Sequence, residues 1–281
     1  MELGFNPYLA FGWCVLAGFF MSMGAGGGGI LAGIGHISLL GIGDPNAIKV
    51  VNQILEFSSR IVSVPLYHRQ KRMVWSLALS FGVGAPAGAV AGSWFSKNFL
   101  SDMALYRLVF GVLVALVAAR VLYEGWGRKA ANHAGPRGPQ HAPRTVRLGW
   151  RKIEVTFGGE HFRFEPMAAA LGGFVISFVG SALGVGGGFL VTPFMTSMLL
   201  FPTYLAVGTG LVALMIPLTV SVLTYVALRV GVDWSLVAVE VPAVLAGSFL
   251  GPLLNRHMNE KALKTFVAIV LLAIGVYYVL Y

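Results

Sequence analysis

The sequence predicts an all-α polytopic membrane protein built from two homologous, inverted repeats that are joined by a basic linker. Hydrophobic residues make up 57% of the 281 positions and charged residues only 11%, whereas a soluble domain carries about 25% charged residues. No charged residue occurs at positions 3–43 or 166–228, and about 20 apolar residues suffice for one bilayer crossing. Short motifs also recur in the same order in both halves. Together these observations exclude a soluble protein.

Each half begins with an apolar stretch that is too long for one ordinary helix and continues with three stretches of single-crossing length. These stretches span 8–42, 46–66, 74–96 and 103–123 in the first half, and 166–201, 203–226, 234–254 and 262–281 in the second. A Gly run interrupts the first stretch of each half, which predicts a Gly-broken hairpin or re-entrant unit plus three transmembrane helices. The predicted domains are a first repeat at 1–124, a linker at 125–165 and a second repeat at 166–281.

Four motifs of the first half return in the second at a nearly constant offset. The matched pairs are Gly24–Gly28 with Gly184–Gly188, Trp75–Leu77 with Trp234–Leu236, Ala91–Ser93 with Ala246–Ser248, and Ala104–Leu105 with Ala262–Leu263. Because all four occur in the same order, they indicate an internal duplication rather than chance matches.

Lys and Arg residues predict the orientation, because short cytoplasmic loops are enriched in them. The loop His68–Arg72 is strongly basic, and residues 125–166 hold eight Lys or Arg against three Glu. In the second half the basic bias moves to the loop that contains Arg256, Lys261 and Lys264, which favours inversion. The alternative is eight plain crossings with parallel repeats. We expect a multi-pass protein of a bacterial inner membrane with a cytoplasmic linker.

The end of the linker predicts a small cytoplasmic β-hairpin. Apolar and polar residues alternate between Thr145 and Phe164, and Gly158-Gly159 separates the last two runs. Alternation around a Gly pair is typical of a hairpin turn.

The Gly runs are the strongest candidate substrate site. Broken backbone at membrane depth is tolerated only where it is buried in protein or lines a cavity, and the N–H groups of the following half-helix bind anions. Paired breaks of this kind mark the substrate site of many transporters. No charge lies near either run along the chain, so the backbone is the expected ligand. The alternative is close helix packing through small residues. The candidate glycines are Gly24, Gly26, Gly27, Gly28, Gly184, Gly186, Gly187 and Gly188.

A polar stripe follows the first Gly unit. Asn52 and Glu56 lie on one helical face, with Lys49 and Arg60 in register with Glu56. Ionisable residues inside a span usually face a cavity or a partner, so Lys49 or Arg60 is expected to attract the anion, and Glu56 to tune it or relay a proton. The alternative is a self-neutralised pair of Glu56 and Arg60. The uncharged candidate ligands are Asn52, Gln53 and Thr209.

Two further ionisable residues interrupt apolar segments. Glu240 lies just before Pro242, and a buried carboxyl can hold a proton at neutral pH, so it is a candidate coupling group. The alternative is a carboxylate at the membrane edge near Asp233. His36 is interpreted either as a proton relay or as a hydrogen-bonded packing residue. Since no cluster has metal-ligand spacing, neither a metal nor another cofactor is expected.

The second Gly run carries a more specific resemblance. The pattern Gly180, Gly184, Gly186–Gly188 and Pro193, together with the duplication and the basic central linker, resembles the TauE/SafE (sulfite exporter) family over nearly the whole chain. The first half departs from the pattern, since Phe20 stands at the position of Gly180 and Gly33 at that of Pro193. The resemblance implies transport of small sulfur-containing anions such as sulfite or organosulfonates, with other organic acids handled by some members.

We therefore predict a gradient-driven secondary transporter of small anions that works by alternating access, and not an enzyme. The expected partners are the anion, the lipid bilayer and a coupling proton or ion, without nucleic acid; a homodimer is compatible with the sequence. An anion channel and a non-transporting subunit of a larger complex are the alternatives. A membrane-embedded enzyme is disfavoured because no nucleophile and base are paired.

Overall fold

The computed structural model describes residues 5–23, 27–127, 142–254 and 260–280. The first half consists of α1 (Pro7–Ser22), α2 (Gly28–Ile34), the π-helix π1 (Gly35–Leu39), α3 (Pro45–Arg69), α4 (Trp75–Phe99) and α5 (Met103–Gly127). The second half consists of α6 (Pro166–Leu183), α7 (Gly188–Pro193), the π-helix π2 (Phe194–Met198), α8 (Thr203–Ala213), α9 (Met215–Ala227), α10 (Trp234–Leu254) and α11 (Glu260–Leu280).

Five helical segments of the described chain are long and apolar enough to cross a membrane, so the protein is a multi-pass membrane protein. They are Trp75–Phe99, Met103–Arg120, Pro166–Leu183, Thr203–Ala227 and Trp234–Leu253. The fourth of them comprises α8 and α9, which meet at Leu214. Pro217 follows three residues later, and a proline cannot donate the hydrogen bond that would continue the helix across this point.

Polar residues mark where several helices begin. Asn6 accepts hydrogen bonds from the N–H groups of Tyr8 and Leu9 at 3.1 and 3.2 Å, and Asp44 accepts one from Asn46 at 2.9 Å. Asp233 caps α10 in the same way, and its hydrogen bonds, led by that from the Ser235 hydroxyl, lower the pKa of the carboxyl. These side chains satisfy N–H groups that a helix leaves unpaired at its start.

Both Gly runs interrupt the helices, as the sequence predicts. The helix α1 ends at Ser22 and α2 begins at Gly28, while α6 ends at Leu183 and α7 begins at Gly188. In the second break, Gly184, Gly186 and Gly187 have φ angles of +69°, +63° and +72°. Residues other than glycine rarely adopt these positive φ angles, which explains why glycine occupies these three positions.

Glycines also allow helices of different halves to pack closely. A Cβ atom at Gly84, Gly88 or Gly92 of α4 would collide with a carbonyl oxygen of α6. At the contact of α1 with α10, Gly18 and Gly247 meet backbone of the other helix in the same way. The packing interpretation of the glycine content is therefore correct for these positions, and the break interpretation is correct for the runs.

The buried apolar side chains form two large clusters that do not coincide with the two halves of the sequence. One contains residues of α1, α2, π1, α3, α5, α6, α7, α9, α10 and α11. The other contains residues of α4, α6, α7, π2, α8, α9 and the linker sheet. Each cluster therefore draws helices from both halves.

The linker ends in a three-stranded antiparallel sheet with the order β1 (Arg144–Leu148), β2 (Ile153–Phe157) and β3 (Glu160–Phe164). The turn at Gly158–Gly159 is confirmed, with φ angles of +61° and +87°. The predicted hairpin is present, but the prediction lacked a strand, because β1 pairs with β2 and makes the sheet three-stranded. A two-stranded hairpin alone is only marginally stable. Here β2 pairs on both edges, and the ring of Phe157 stacks on Tyr204 at the start of α8.

Substitution of Gly88 by Val should destabilise the protein, because the new side chain collides with the carbonyl oxygen of Phe174 on α6. Overpacking of this kind costs about 1–3 kcal/mol. The measurement is thermal unfolding in detergent, followed by tryptophan fluorescence. The matched control is G12V in α1, where a Cβ atom meets no other atom within 4 Å. Equal unfolding temperatures for the two variants would contradict the packing role.

Candidate functional site

A buried cavity lies where the two broken helical units meet α3. Gly28 and Gly188, the first residues of α2 and α7, line it together with Glu56 and Arg60 of α3. The other lining residues are Met21, Val191, Thr192, Val207, Gly210, Leu211 and Leu214. Its volume of about 10 Å³ holds roughly one water molecule. Residues that are far apart in the chain therefore converge on one small space.

The Glu56 carboxylate packs directly against both breaks. A Cβ atom at Gly29 would collide with Glu56 Oε1, and one at Gly186 would lie 2.8 Å from Glu56 Oε2. Both positions therefore require glycine for the close approach. The sequence shows no charge beside either Gly run, but α3 supplies one in space.

Arg60 and Glu56 form a buried ion pair within α3. Nη1 of Arg60 donates to the Glu56 carboxylate and, at 2.6 Å, to the Glu56 carbonyl oxygen. Arg60 is 1% exposed and Glu56 4%. In the described part of the chain, Nε of Arg60 has no hydrogen-bond partner, and Nη2 lies 3.6 Å from where a Cβ of Gly188 would stand. The ion pair thus places the guanidinium of Arg60, whose Nε–H has no partner among the described residues, at the wall of the cavity.

The two adjacent amides of α3 are fully buried but differ in how they are used. Nε2 of Gln53 donates to the carbonyl oxygen of Ser181 at 3.3 Å, while its Oε1 finds no partner among the described residues. Neither amide atom of Asn52 has a partner there, and its Nδ2 lies 3.2 Å from the Cβ position of Gly33. Asn52 therefore keeps both hydrogen-bonding groups unused one helical turn before Glu56.

Lys49 and Thr209 hold other parts of the fold. Nζ of Lys49 donates to the carbonyl oxygen of Leu100 at 2.6 Å and lies 4.6 Å from the centre of the Tyr106 ring. Oγ1 of Thr209 accepts a hydrogen bond of 3.0 Å from the N–H of Val74 at the start of α4. Neither residue lines the cavity, although Gly210 beside Thr209 does.

Three other candidate glycines lie at the starts of α2 and α7 or against α3, outside the cavity lining. Gly27 and Gly187 are the N-caps of α2 and α7, and no side chain caps either helix. Gly184 packs on Lys49, since its Cβ would lie 2.7 Å from that of Lys49. Gly24 and Gly26 lie outside the described residues.

Glu240 is buried in the protein and bound to His36. Nε2 of His36 is 2.9 Å from both carboxylate oxygens, and the exposed fraction of each side chain is 1%. The sequence singled out both residues separately, but nothing in their spacing, which exceeds 200 positions, indicates that they pair.

Sequence reasoning missed the apolar part of the cavity wall. Met21 precedes the first break, Val191 and Thr192 follow the second by about one helical turn, and Leu214 marks the junction of α8 and α9. Val191 and Thr192 could have been found from their helical spacing after Gly188. Met21 and Leu214 carry no chemical signal that distinguishes them from the many other apolar residues.

The comparisons with known proteins point to membrane transporters. A family model described as sulfite exporter TauE/SafE matches residues 10–278. The chain is 26% identical over 214 residues to the probable membrane transporter protein YunE of Bacillus subtilis (strain 168), which covers 74% of this chain and 71% of the relative. It is 27% identical over 265 residues to a probable membrane transporter protein of Xylella fastidiosa (strain 9a5c), covering 93% and 90%. No solved structure gives a significant match. These relatives are transport proteins, which confirms the expected class of a membrane transporter rather than an enzyme.

Replacement of Glu56 by Gln should destabilise the protein strongly, because it leaves the buried Arg60 uncompensated. Removing one partner of a buried ion pair costs about 3–5 kcal/mol, whereas replacing both by apolar residues of similar size is often neutral. The double variant E56L/R60M should therefore recover most of the stability that E56Q loses. Thermal unfolding in detergent measures both variants. If the double variant unfolded at a lower temperature than E56Q, the pair would not be held by mutual compensation.

Proposed function

The chain belongs to the sulfite exporter TauE/SafE family, and we propose that it is a secondary transporter of small sulfur-containing or organic anions, of the sulfite or sulfonate type. The observation that carries this proposal is the convergence of two Gly-broken helices and the buried Arg60 on one cavity. Paired breaks of this kind mark substrate sites in transporters. The coarser function, a membrane transporter, already follows from the family and the relatives.

Three kinds of donor favour an anion in this cavity. The continuous helical units Gly28–Leu39 and Gly188–Met198 both begin at it, and their uncapped N–H groups carry partial positive charge. Arg60 adds a full positive charge with an unused Nε, and its planar fork matches the oxygens of a sulfonate or carboxylate. Asn52 does not line the cavity, but it provides a neutral donor with no partner among the described residues one turn before Glu56 on α3.

Substrate entry requires that the cavity enlarge. A space for about one water molecule cannot hold a sulfite or sulfonate ion. In our proposal the entering anion takes over Arg60 from Glu56, whose carboxylate moves away from Gly29 and Gly186. Glu56 thereby serves as the resident negative charge that keeps Arg60 compensated while the site is empty. Lys49, Gln53 and Thr209 remain predicted contributors, acting in other conformations of the cycle.

Alternating access is the proposed mechanism, with the two halves as inverted repeats. The reciprocal packing of α1 on α10 and of α6 on α4 supports a duplication, because equivalent helices of each half contact equivalent helices of the other. We retain the division into repeats at 1–124 and 166–281 and the linker at 125–165, which we place on the cytoplasmic side of a bacterial inner membrane. A proton or ion gradient, or the substrate's own gradient, would drive the cycle.

The proposal is tested by reconstituting the purified protein into liposomes. Uptake of radiolabelled sulfite, methanesulfonate, sulfate and acetate would be followed with and without the unlabelled anion inside. We expect accelerated exchange of at least one sulfur-containing anion. Failure of the entire panel would overturn the proposal, and large unitary currents in planar bilayers would replace the transporter with a channel.

Substitution of Gly186 by Ala should abolish most transport, because its Cβ would collide with the Glu56 carboxylate that lies against both breaks. The matched control is G41A, since Gly41 has the same left-handed backbone, with a φ of +64°, but no atom within 4 Å of an added Cβ. Both variants bear the same backbone penalty of about 1–2 kcal/mol. Exchange in proteoliposomes should fall in G186A and persist in G41A. Equal rates would show that the approach of Glu56 to this break has no part in transport.

A further inference from the structure

The most deeply buried titratable pair of the described chain outside the cavity is formed by His36 and Glu240. Nε2 of the imidazole lies 2.9 Å from each carboxylate oxygen, and Nδ1 has no partner among the described residues. Both side chains are 1% exposed. Ionisable residues at such a depth are costly and usually mark ion or proton pathways.

We propose that His36 and Glu240 form a proton-binding site that couples transport to a proton gradient, separate from the anion cavity. A neutral imidazole that donates its Nε2–H to an ionised carboxylate leaves the pair with one negative charge. Uptake of one proton makes the pair neutral, whether the proton resides on the imidazole or on the carboxyl. The pair therefore has two charge states that differ by a single proton. The inference rests on the proposed function, since it supplies that transporter with its coupling ion.

The position of the pair connects it to the cavity. His36 belongs to π1, which continues α2 without interruption from Gly28 at the cavity wall. Glu240 belongs to α10, whose Ser248 donates a 2.8 Å hydrogen bond to Ser59, the neighbour of Arg60 on α3. The pair thus joins a broken unit of the first half to a helix of the second: α2 lines the anion cavity, and α10 contacts α3 next to Arg60.

Burial ties proton exchange to conformational change. Because neither side chain contacts solvent in this conformation, a proton can enter or leave only when the contact between π1 and α10 opens. One proton is then taken up from one side of the membrane and released to the other in each cycle. It is bound and released unchanged, so no other reactant is needed.

The titratable groups around the pair do not provide an alternative proton site. From α1, the Cys14 thiol lies near Glu240. From α11, the Tyr278 hydroxyl bonds to Ser38 of π1, and Arg107 of α5 lies near it. The charged groups of α3 are engaged elsewhere: Lys49 binds the Leu100 carbonyl, and Glu56 and Arg60 bind each other. Among these groups, His36 and Glu240 are the two titratable side chains that hydrogen-bond to each other across the two halves.

The test compares two transport modes of the full-length protein in proteoliposomes. Methanesulfonate is the probe, because its charge does not change over the pH range used. Glu240→Gln mimics the protonated carboxyl permanently, and His36→Gln removes the imidazole. In both variants we expect accumulation driven by a pH gradient to fall by at least about tenfold, while gradient-free exchange stays within about threefold of wild type. Wild-type accumulation in E240Q would overturn the inference.

Ser38→Ala is the matched control, since it removes the hydrogen bond between π1 and Tyr278 but leaves the pair intact. Its accumulation and exchange should both resemble wild type. If S38A lost coupling as E240Q does, the pair would act only by holding π1 in place, which contradicts a proton site.

An infrared titration separates failure of this inference from failure of the proposed function. Between about pH 8 and pH 5, the range in which histidine-linked groups change charge, the wild type should gain a protonated-carboxyl or imidazolium signal that is absent in E240Q. This readout needs no transported anion. A spectrum without any Glu240-dependent signal would overturn the proton site, even if the liposomes transport methanesulfonate. Absence of transport with the signal present would overturn only the proposed function.

Discussion

The structure depends on how the two Gly breaks are packed against α3, the helix that carries Glu56 and Arg60. A helix that stops inside a bilayer exposes N–H and C=O groups that lipid cannot satisfy. Here the two breaks lie against each other beside α3, and the Glu56 carboxylate contacts both of them. That carboxylate in turn requires Arg60, because a single buried charge would be far more costly than a pair. The glycines of the breaks therefore allow the close approach of Glu56, and Arg60 compensates the charge of Glu56.

Glycine serves two distinct physical purposes in this chain. At Gly186 and Gly187 it permits a backbone conformation that other residues avoid. At Gly88 and Gly247 it removes a side chain so that two helices can touch along their backbones. Composition counts both kinds alike, and only the neighbouring atoms distinguish them.

Much of the fold could be predicted from the sequence, because hydropathy and helix caps act locally. The segment starts near Pro45, Trp75, Pro166 and Trp234 agree with the observed helices within a few residues. The candidate site was only partly predictable. The stripe of Asn52 and Glu56 follows from helical spacing, but the approach of Glu56 to Gly186, 130 positions away, depends on tertiary packing that has no local signal. The third strand was missed for a similar reason, since β1 is exposed and is held by its pairing with β2.

The two apolar clusters have a consequence for recombination. Each cluster contains helices from both sides of the linker. The linker therefore divides the sequence into two halves but does not divide the packed protein into two parts. A chimera that joins the first 124 residues of one relative to the second half of another would bring helix surfaces from different proteins into contact in both apolar clusters. Exchange of α1 together with α10, or of α4 together with α6, would instead keep each glycine-lined contact with its own partner. The helices to exchange between relatives are thus the contacting pairs rather than consecutive segments of the chain.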